Sequence, residues 1–115
     1  MQKTTYDLED RTLRFAKDVR LFIKQLPTDM HTEVDGKQLL RSSGSIGANY
    51  REANEKLSKK DFIYRMKITR KEAKESEYWL KLLESTLPQE INAEKLIHES
   101  IELRKIMSAI INKSL

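Results

Sequence analysis

The sequence predicts an all-α protein, an antiparallel up-down-up-down four-helix bundle, and three observations lead there. Apolar residues recur at alternating steps of three and four through four segments, and no period-two alternation competes. Charged residues reach 35% of 115, with only 3 Gly and 2 Pro, a balance that suits long exposed helices and not a turn-rich sandwich or barrel. The connectors are short, which places sequence neighbours antiparallel. The chain, residues 1–115, reads as a single domain.

The first helix spans about 7–26 and stops before Pro27, because the residue preceding a proline is biased out of the helical region. Its inner stripe is Leu8, Phe15, Val19, Phe22 and Leu26. A polar connector, Thr28 to Val34, leads to a second helix over about 35–57, with Asp35 as N-cap and a stripe of Leu39, Ser43, Ile46, Tyr50, Ala53 and Leu57. Ser58 caps the third helix, about 58–86, with Asp61 in capping-box position. Its stripe of Phe62, Met66, Thr69, Ala73, Ser76, Leu80 and Leu83 alternates four and three without a slip. Asn92 is the expected cap of the fourth helix, about 92–114, whose stripe is Leu96, Ser100, Leu103, Met107, Ile110 and Ser114.

Small residues crowd the second helix at Ser42, Ser43, Gly44, Ser45, Gly47 and Ala48, and the third at Thr69, Ala73 and Ser76. Facing each other, they predict a close crossing of these two helices. Asn49, Arg51, Glu52, Glu72 and Glu75 lie near that crossing, either solvated or joined in a polar network that sets register. Apolar residues beyond the stripes (Leu13, Leu21, Ile68, Trp79, Leu82, Ile101, Ile106 and Ile111) widen the core and leave a surplus that predicts self-association.

Several function classes drop out. With no Cys there is no disulfide, thiol nucleophile or thiolate metal site. A mean hydropathy of -0.67 and the lack of a long apolar run argue against a membrane span. Residues 1–10 do not read as a signal peptide, so a cytoplasmic protein is expected. The two histidines, His31 in a predicted connector and His98 on a helix, lack the Glu-x-x-His pairing of a di-metal bundle. Gly44-Ser45-Ile46-Gly47 matches the G-x-x-G of a KH loop but lies inside a helical pattern. No nucleophile elbow or Gly-rich phosphate loop occurs, so neither catalysis nor a cofactor or metal is expected.

Charge is distributed unevenly. Residues 58–75 carry 7 basic and 3 acidic side chains, an excess equal to the +4 of the whole chain. Within the third helix Lys60, Tyr64, Lys67, Lys71, Lys74, Tyr78 and Lys81 form one line about 200° from the core stripe. Five lysines and two tyrosines over about 30 Å, flanked by Arg65 and Arg70, suit a phosphate backbone, and the tyrosines suit stacking on unpaired bases. The competing reading is a solvated face on which Glu72 and Glu75 neutralise neighbouring lysines.

The run Arg41-Ser42-Ser43-Gly44-Ser45-Ile46-Gly47-Ala48-Asn49-Tyr50, with Glu52-Ala53 and Asn54-Glu55, resembles the bacterial four-helix-bundle proteins encoded within 23S ribosomal RNA intervening sequences. Ser58 with Asp61-Phe62, the Lys71-Glu72-Ala73-Lys74-Glu75 segment, Trp79-Leu80 with Leu82-Leu83, Tyr6-Asp7-Leu8-Glu9 and Phe15-Ala16 are similar too. The resemblance implies a closed bundle assembled as a homopentameric ring, with no catalytic residues. The chain is also similar to accessory proteins of diversity-generating retroelements, bundles whose basic surface engages RNA and a reverse transcriptase. Residues and resemblance together lead to the expectation of a non-enzymatic oligomeric bundle that binds RNA through the third helix. The alternative is a protein-interaction scaffold with no nucleic-acid role.

Overall fold

The structure, a computed structural model, describes residues 5–55 and 58–115. Among these residues there are four helices and no strands: α1 (Thr5–Ile23), α2 (Met30–Ala53), α3 (Lys59–Glu84) and α4 (Glu94–Ser114). Each helix packs on the next, α4 returns sparsely to α1, and the diagonal pairs do not meet among the described residues. The early part of each helix meets the late part of its neighbour. Glu9 bonds Asn54, Arg41 bonds Glu75 and Arg70 bonds Ser108, so the bundle runs up-down-up-down.

Local chemistry explains most boundaries and corrects three. After Ile23 the chain tightens into short-range turns, Gln25 N to Phe22 O and Leu26 N to Ile23 O, before Pro27 ends it. The second helix starts at Met30, five residues before the expected Asp35 cap, because Asp29 caps it instead. The Asp29 carboxylate accepts the Thr32 amide proton at 3.0 Å, and hydrogen bonds from the Thr32 side chain and amide hold its pKa below the usual carboxylate range. His31, expected in a connector, therefore sits in the first turn of α2. That helix ends at Ala53, and Leu57, placed by periodicity at its inner end, lies outside the described residues. Ser58 caps α3 as expected, accepting from the Asp61 amide at 3.1 Å. The fourth helix begins at Glu94 behind Ala93, which offers no side-chain cap. The expected cap, Asn92, accepts only the Glu94 amide, at 3.3 Å.

The predicted stripes form the core. Phe15, Val19, Phe22, Leu39, Ile46, Ala73, Leu80, Leu83 and Leu103 share one cluster, and Leu8, Tyr50, Ala53, Met66, Met107 and Ile111 share a second. Leu26, Phe62, Leu96 and Ile110 are only partly buried, each packed against one of these clusters. Trp79 is half-buried against the first cluster, while Ile111, assigned from sequence to the surplus, is fully in the core. Buried hydroxyls bond back to their own helix: Thr12 to the Leu8 carbonyl at 2.8 Å, Thr69 to Arg65 at 3.1 Å and Ser100 to Ile97 at 2.7 Å. Periodic small polar residues are thereby buried without orphaned groups.

The small residues of α2 divide between two neighbours. Ser42 and Ser76 share a hydrogen bond at 2.8 Å across the α2–α3 crossing, as expected. Each hydroxyl also lies near a carbonyl of its own helix, Ser76 at 2.9 Å from Glu72 O and Ser42 at 3.4 Å from Leu39 O. The glycines, expected at the same crossing, face α1 instead. A Cβ on Gly47 would lie 3.1 Å from Thr12 Oγ1, and one on Gly44 would lie 3.4 Å from an Arg20 nitrogen. The reason is angular: at about 100° per residue, positions three, four or seven apart share a helix face, whereas positions five apart lie about 140° from each other. Gly47 lies five beyond Ser42, so it faces a different neighbour.

The anticipated polar group at the crossing also divides, into two latches. Arg41 on α2 donates to buried Glu72 at 3.1 and 3.3 Å and to Glu75 beside it. Burial lowers the Arg41 pKa, but the two carboxylates outweigh it and raise the pKa overall. Asn49 accepts from Arg65 at 3.0 Å about two turns further along the seam. Arg51 pairs at 3.4 Å with Glu9 of α1, and Glu52 is exposed.

Two stability results are expected from chemical denaturation. Gly36→Ala places its Cβ in open space and gains about 1 kcal/mol of helix propensity, whereas Gly47→Ala presses on buried, hydrogen-bonded Thr12. Overpacking costs about 1–3 kcal/mol, so Gly47→Ala lowers stability where Gly36→Ala raises it. Arg41→Ala, which leaves the Glu72 carboxylate buried without its charged partner, costs about 1.5–3 kcal/mol.

Candidate nucleic-acid interface

Because Met66, Thr69, Ala73, Ser76, Leu80 and Leu83 are buried, the opposite side of α3 must face outward. Lys60, Tyr64, Lys67, Lys71, Lys74, Tyr78 and Lys81 are all exposed and form one line along the longest helix of the bundle. Tyr64 retains 64% of its accessible surface and Tyr78 59%, so both rings are open to contact. Tyr78 meets Trp79 edge-on, ring centres 5.0 Å apart, an arrangement that orients its ring while leaving it exposed.

The acids of α3 are largely committed elsewhere. Glu72 is buried against Arg41, so it does not neutralise the line. Glu75 is shared between Arg41 and Lys71, the latter at 3.6 Å. Glu77 bonds Lys81 at 2.8 Å and approaches Arg104 of α4 at 3.6 Å. Among the described residues Lys60, Lys67 and Lys74 have no carboxylate within ion-pair distance. Of the two acids named in the solvated-face reading, Glu75 pairs with Lys71 and Glu72 does not reach the line, while Glu77 pairs with Lys81.

The flanking arginines go to opposite seams. Arg65 is half-buried and turned to Asn49 of α2. Arg70 reaches toward α4, its Nη1 lying 3.4 Å from Ser108 Oγ. There the face becomes concave: Lys67, Arg70, Lys71 and Lys74 line a cleft of about 400 Å³ with Arg104 and Ser108. These α4 residues were absent from the sequence-derived set. Their signal was present, since Arg104 and Ser108 each follow a core residue, Leu103 and Met107, and so border the same seam. Sequence spacing does not say which neighbouring helix that border meets.

No group of three His, Cys, Asp or Glu among the described residues is placed to hold a metal. Both His31 and His98 are exposed, His31 lying 3.4 Å from Asp29. Among the described residues no helix is long and apolar enough to cross a membrane. On the side away from the lysines, Arg11 grips Glu99 bidentately at 2.7 and 2.8 Å, bridging the sparse α1–α4 seam. That hydrogen bond raises the Arg11 pKa against the opposing effect of burial.

Comparison with known proteins agrees with this architecture. A crystal structure of a protein with unknown function from the S23 ribosomal protein family of Bacteroides thetaiotaomicron VPI-5482 matches with a TM-score of 0.82 and 39% identity, over 94% of this chain and 97% of that one. No curated protein matches. A family model described as 23S rRNA-intervening sequence protein matches residues 5–109, which take in all of α1, α2 and α3 and most of α4. Four helices in sequential contact, a solved neighbour of the same shape and a family match along nearly the whole chain lead to one conclusion: the chain belongs to the 23S rRNA-intervening sequence protein family.

Proposed function

We propose that this protein is a non-enzymatic, oligomeric RNA-binding bundle of the cytoplasm, which holds RNA electrostatically along the outer face of α3. The observation that carries this reading is the uninterrupted exposed line from Lys60 to Lys81, in which three of five lysines have no acidic partner among the described residues. Lysines spaced by a helical turn follow a flexible phosphate strand without reading bases. Exposed Tyr64 and Tyr78 add stacking that favours unpaired segments over a duplex.

Assembly strengthens a face of this kind. Leu13 and Leu21 on α1, Met30 and Val34 on α2 and Leu82 on α3 are exposed, more apolar surface than a monomer of this size needs to show. In a ring, proposed here as a homopentamer, copies of one weak basic face act together on one RNA, and avidity supplies the affinity. The same apolar surface also supports a second reading, a protein-interaction scaffold in which the lysines only keep the ring soluble.

The experiment is a salt series with a fluorescent structured RNA, beside a duplex DNA of equal length. Five lysine–phosphate contacts on a single strand give a log–log slope of about -3.5, and K67E/K71E/K74E abolishes binding while the circular-dichroism melt stays cooperative. A folded triple mutant with unchanged affinity overturns the RNA reading and leaves the scaffold. For assembly, sedimentation should give about five times the 13.5 kDa protomer, and L21K/V34K should reduce it to the protomer without unfolding.

A further inference from the structure

The cleft between α3 and α4 differs in kind from the lysine line beside it. A convex row of lysines offers mobile point charges, whereas here two helices flank an open cleft lined by Lys67, Arg70, Lys71, Lys74, Arg104 and Ser108, with no carboxylate in the lining. Five cations around one concavity repel one another, and low-dielectric walls concentrate that field. The nearby acids relieve it only in part. Glu75 is shared between Arg41 and Lys71, the latter at 3.6 Å, and Glu77 is engaged by Lys81 at 2.8 Å, against 3.6 Å to Arg104, while Lys67, Arg70 and Lys74 have no carboxylate within ion-pair distance among the described residues.

The two arginines are underused. Arg104 Nε is buried and has no hydrogen-bond partner, one of two such side-chain atoms among the described residues. Arg70 has a single long contact, 3.4 Å to Ser108 Oγ, and that hydroxyl can itself donate to an anion. A buried guanidinium N–H without an acceptor calls for an explanation, a bound water or ion among them. Guanidinium forks match the tetrahedral oxygens of phosphate, which lysines alone bind only as point charges.

We propose that this cleft is a discrete phosphate-binding site, in which Arg70 and Arg104 grip a phosphate group that Lys67, Lys71 and Lys74 draw in. It deepens the RNA-binding reading and rests on it for the source of the phosphate on a strand: the site anchors one phosphate while the line along α3 carries the rest. The group is either a backbone phosphodiester or a terminal phosphate, the chemistry of recognition being the same.

The test uses the intact protein with inorganic pyrophosphate as probe, followed through the arginine Nε–Hε resonances. Saturable shifts confined to Arg70 and Arg104 at submillimolar to millimolar pyrophosphate are expected. In R70K/R104K, which preserves charge, pyrophosphate affinity should fall about tenfold or more, the loss of at least one charge-assisted hydrogen bond. RNA affinity should fall with it, although a purely electrostatic face would be indifferent to the exchange. Preference for a 5′-phosphorylated oligoribonucleotide over its 5′-hydroxyl form assigns the site to strand ends, and equal binding assigns it to the backbone. No saturable shift with pyrophosphate, or R70K/R104K equal to wild type for both ligands, overturns the site. The two readings fail separately. Loss of RNA binding in K67E/K71E/K74E without any pyrophosphate site retains only the α3 line, whereas pyrophosphate binding without RNA binding retains only the cleft.

Discussion

The rest of the bundle depends on how closely α2 approaches both of its neighbours. Gly47 lets Thr12 of α1 come within a distance that any side chain would contest. On the other side Ser42 and Ser76 join α2 and α3 through a hydroxyl pair with almost no side-chain bulk between the backbones. Each approach sacrifices apolar volume, which would weaken an ordinary core. The loss is offset because the hydroxyls of Thr12, Ser42, Thr69, Ser76 and Ser100 each find a carbonyl or another hydroxyl, and because Arg41 fastens the edge of the seam to Glu72 and Glu75. Helix α2 is thus the axis against which α1 and α3 are registered.

The character of the outer face follows from that registration. Once Thr69, Ala73 and Ser76 are held against α2 and Met66, Leu80 and Leu83 fill the core, α3 has no rotational freedom left, and its lysines must point outward. The Arg41 latch has an electrostatic consequence as well as a mechanical one. By drawing Glu72 inward and sharing Glu75, it removes negative charge from beside the lysines, so one interaction stabilises the crossing and leaves the far face more positive. Packing of α4 then turns part of that convex face into a concave one, and only there do arginines from two helices converge.

Much of this was legible along the chain, for identifiable reasons. An unbroken four-three alternation in α3 has only one helical solution, so its core, its Ser58 cap and its outward lysines could all be read directly. The start of α2 differs from the expectation because Asp29, in a stretch that reads as a polar connector, bonds the Thr32 amide and so opens the helix ahead of Asp35. The glycines were assigned to the wrong neighbour because close approach has a signature in residue size, while the partner approached does not. Arg104 and Ser108 were missed because each is unremarkable on its own helix and matters only through what lies opposite.

Sequence by itself determined the elements whose cause is local: helical periodicity, the Ser58 cap and the stop before Pro27, the two-sided α3 with apolar residues on one side and lysines on the other, and a family resemblance carried by the Arg41–Tyr50 run. The tertiary structure decided everything that depends on rotation and register between helices. That includes which face of α2 meets α1, where Glu72 finds its counterion, and whether scattered cations on α3 and α4 share one cleft. The physical reason is that backbone hydrogen bonds and side-chain period act over a few residues. The angle at which one helix meets another is set by side-chain volumes distributed over the whole chain.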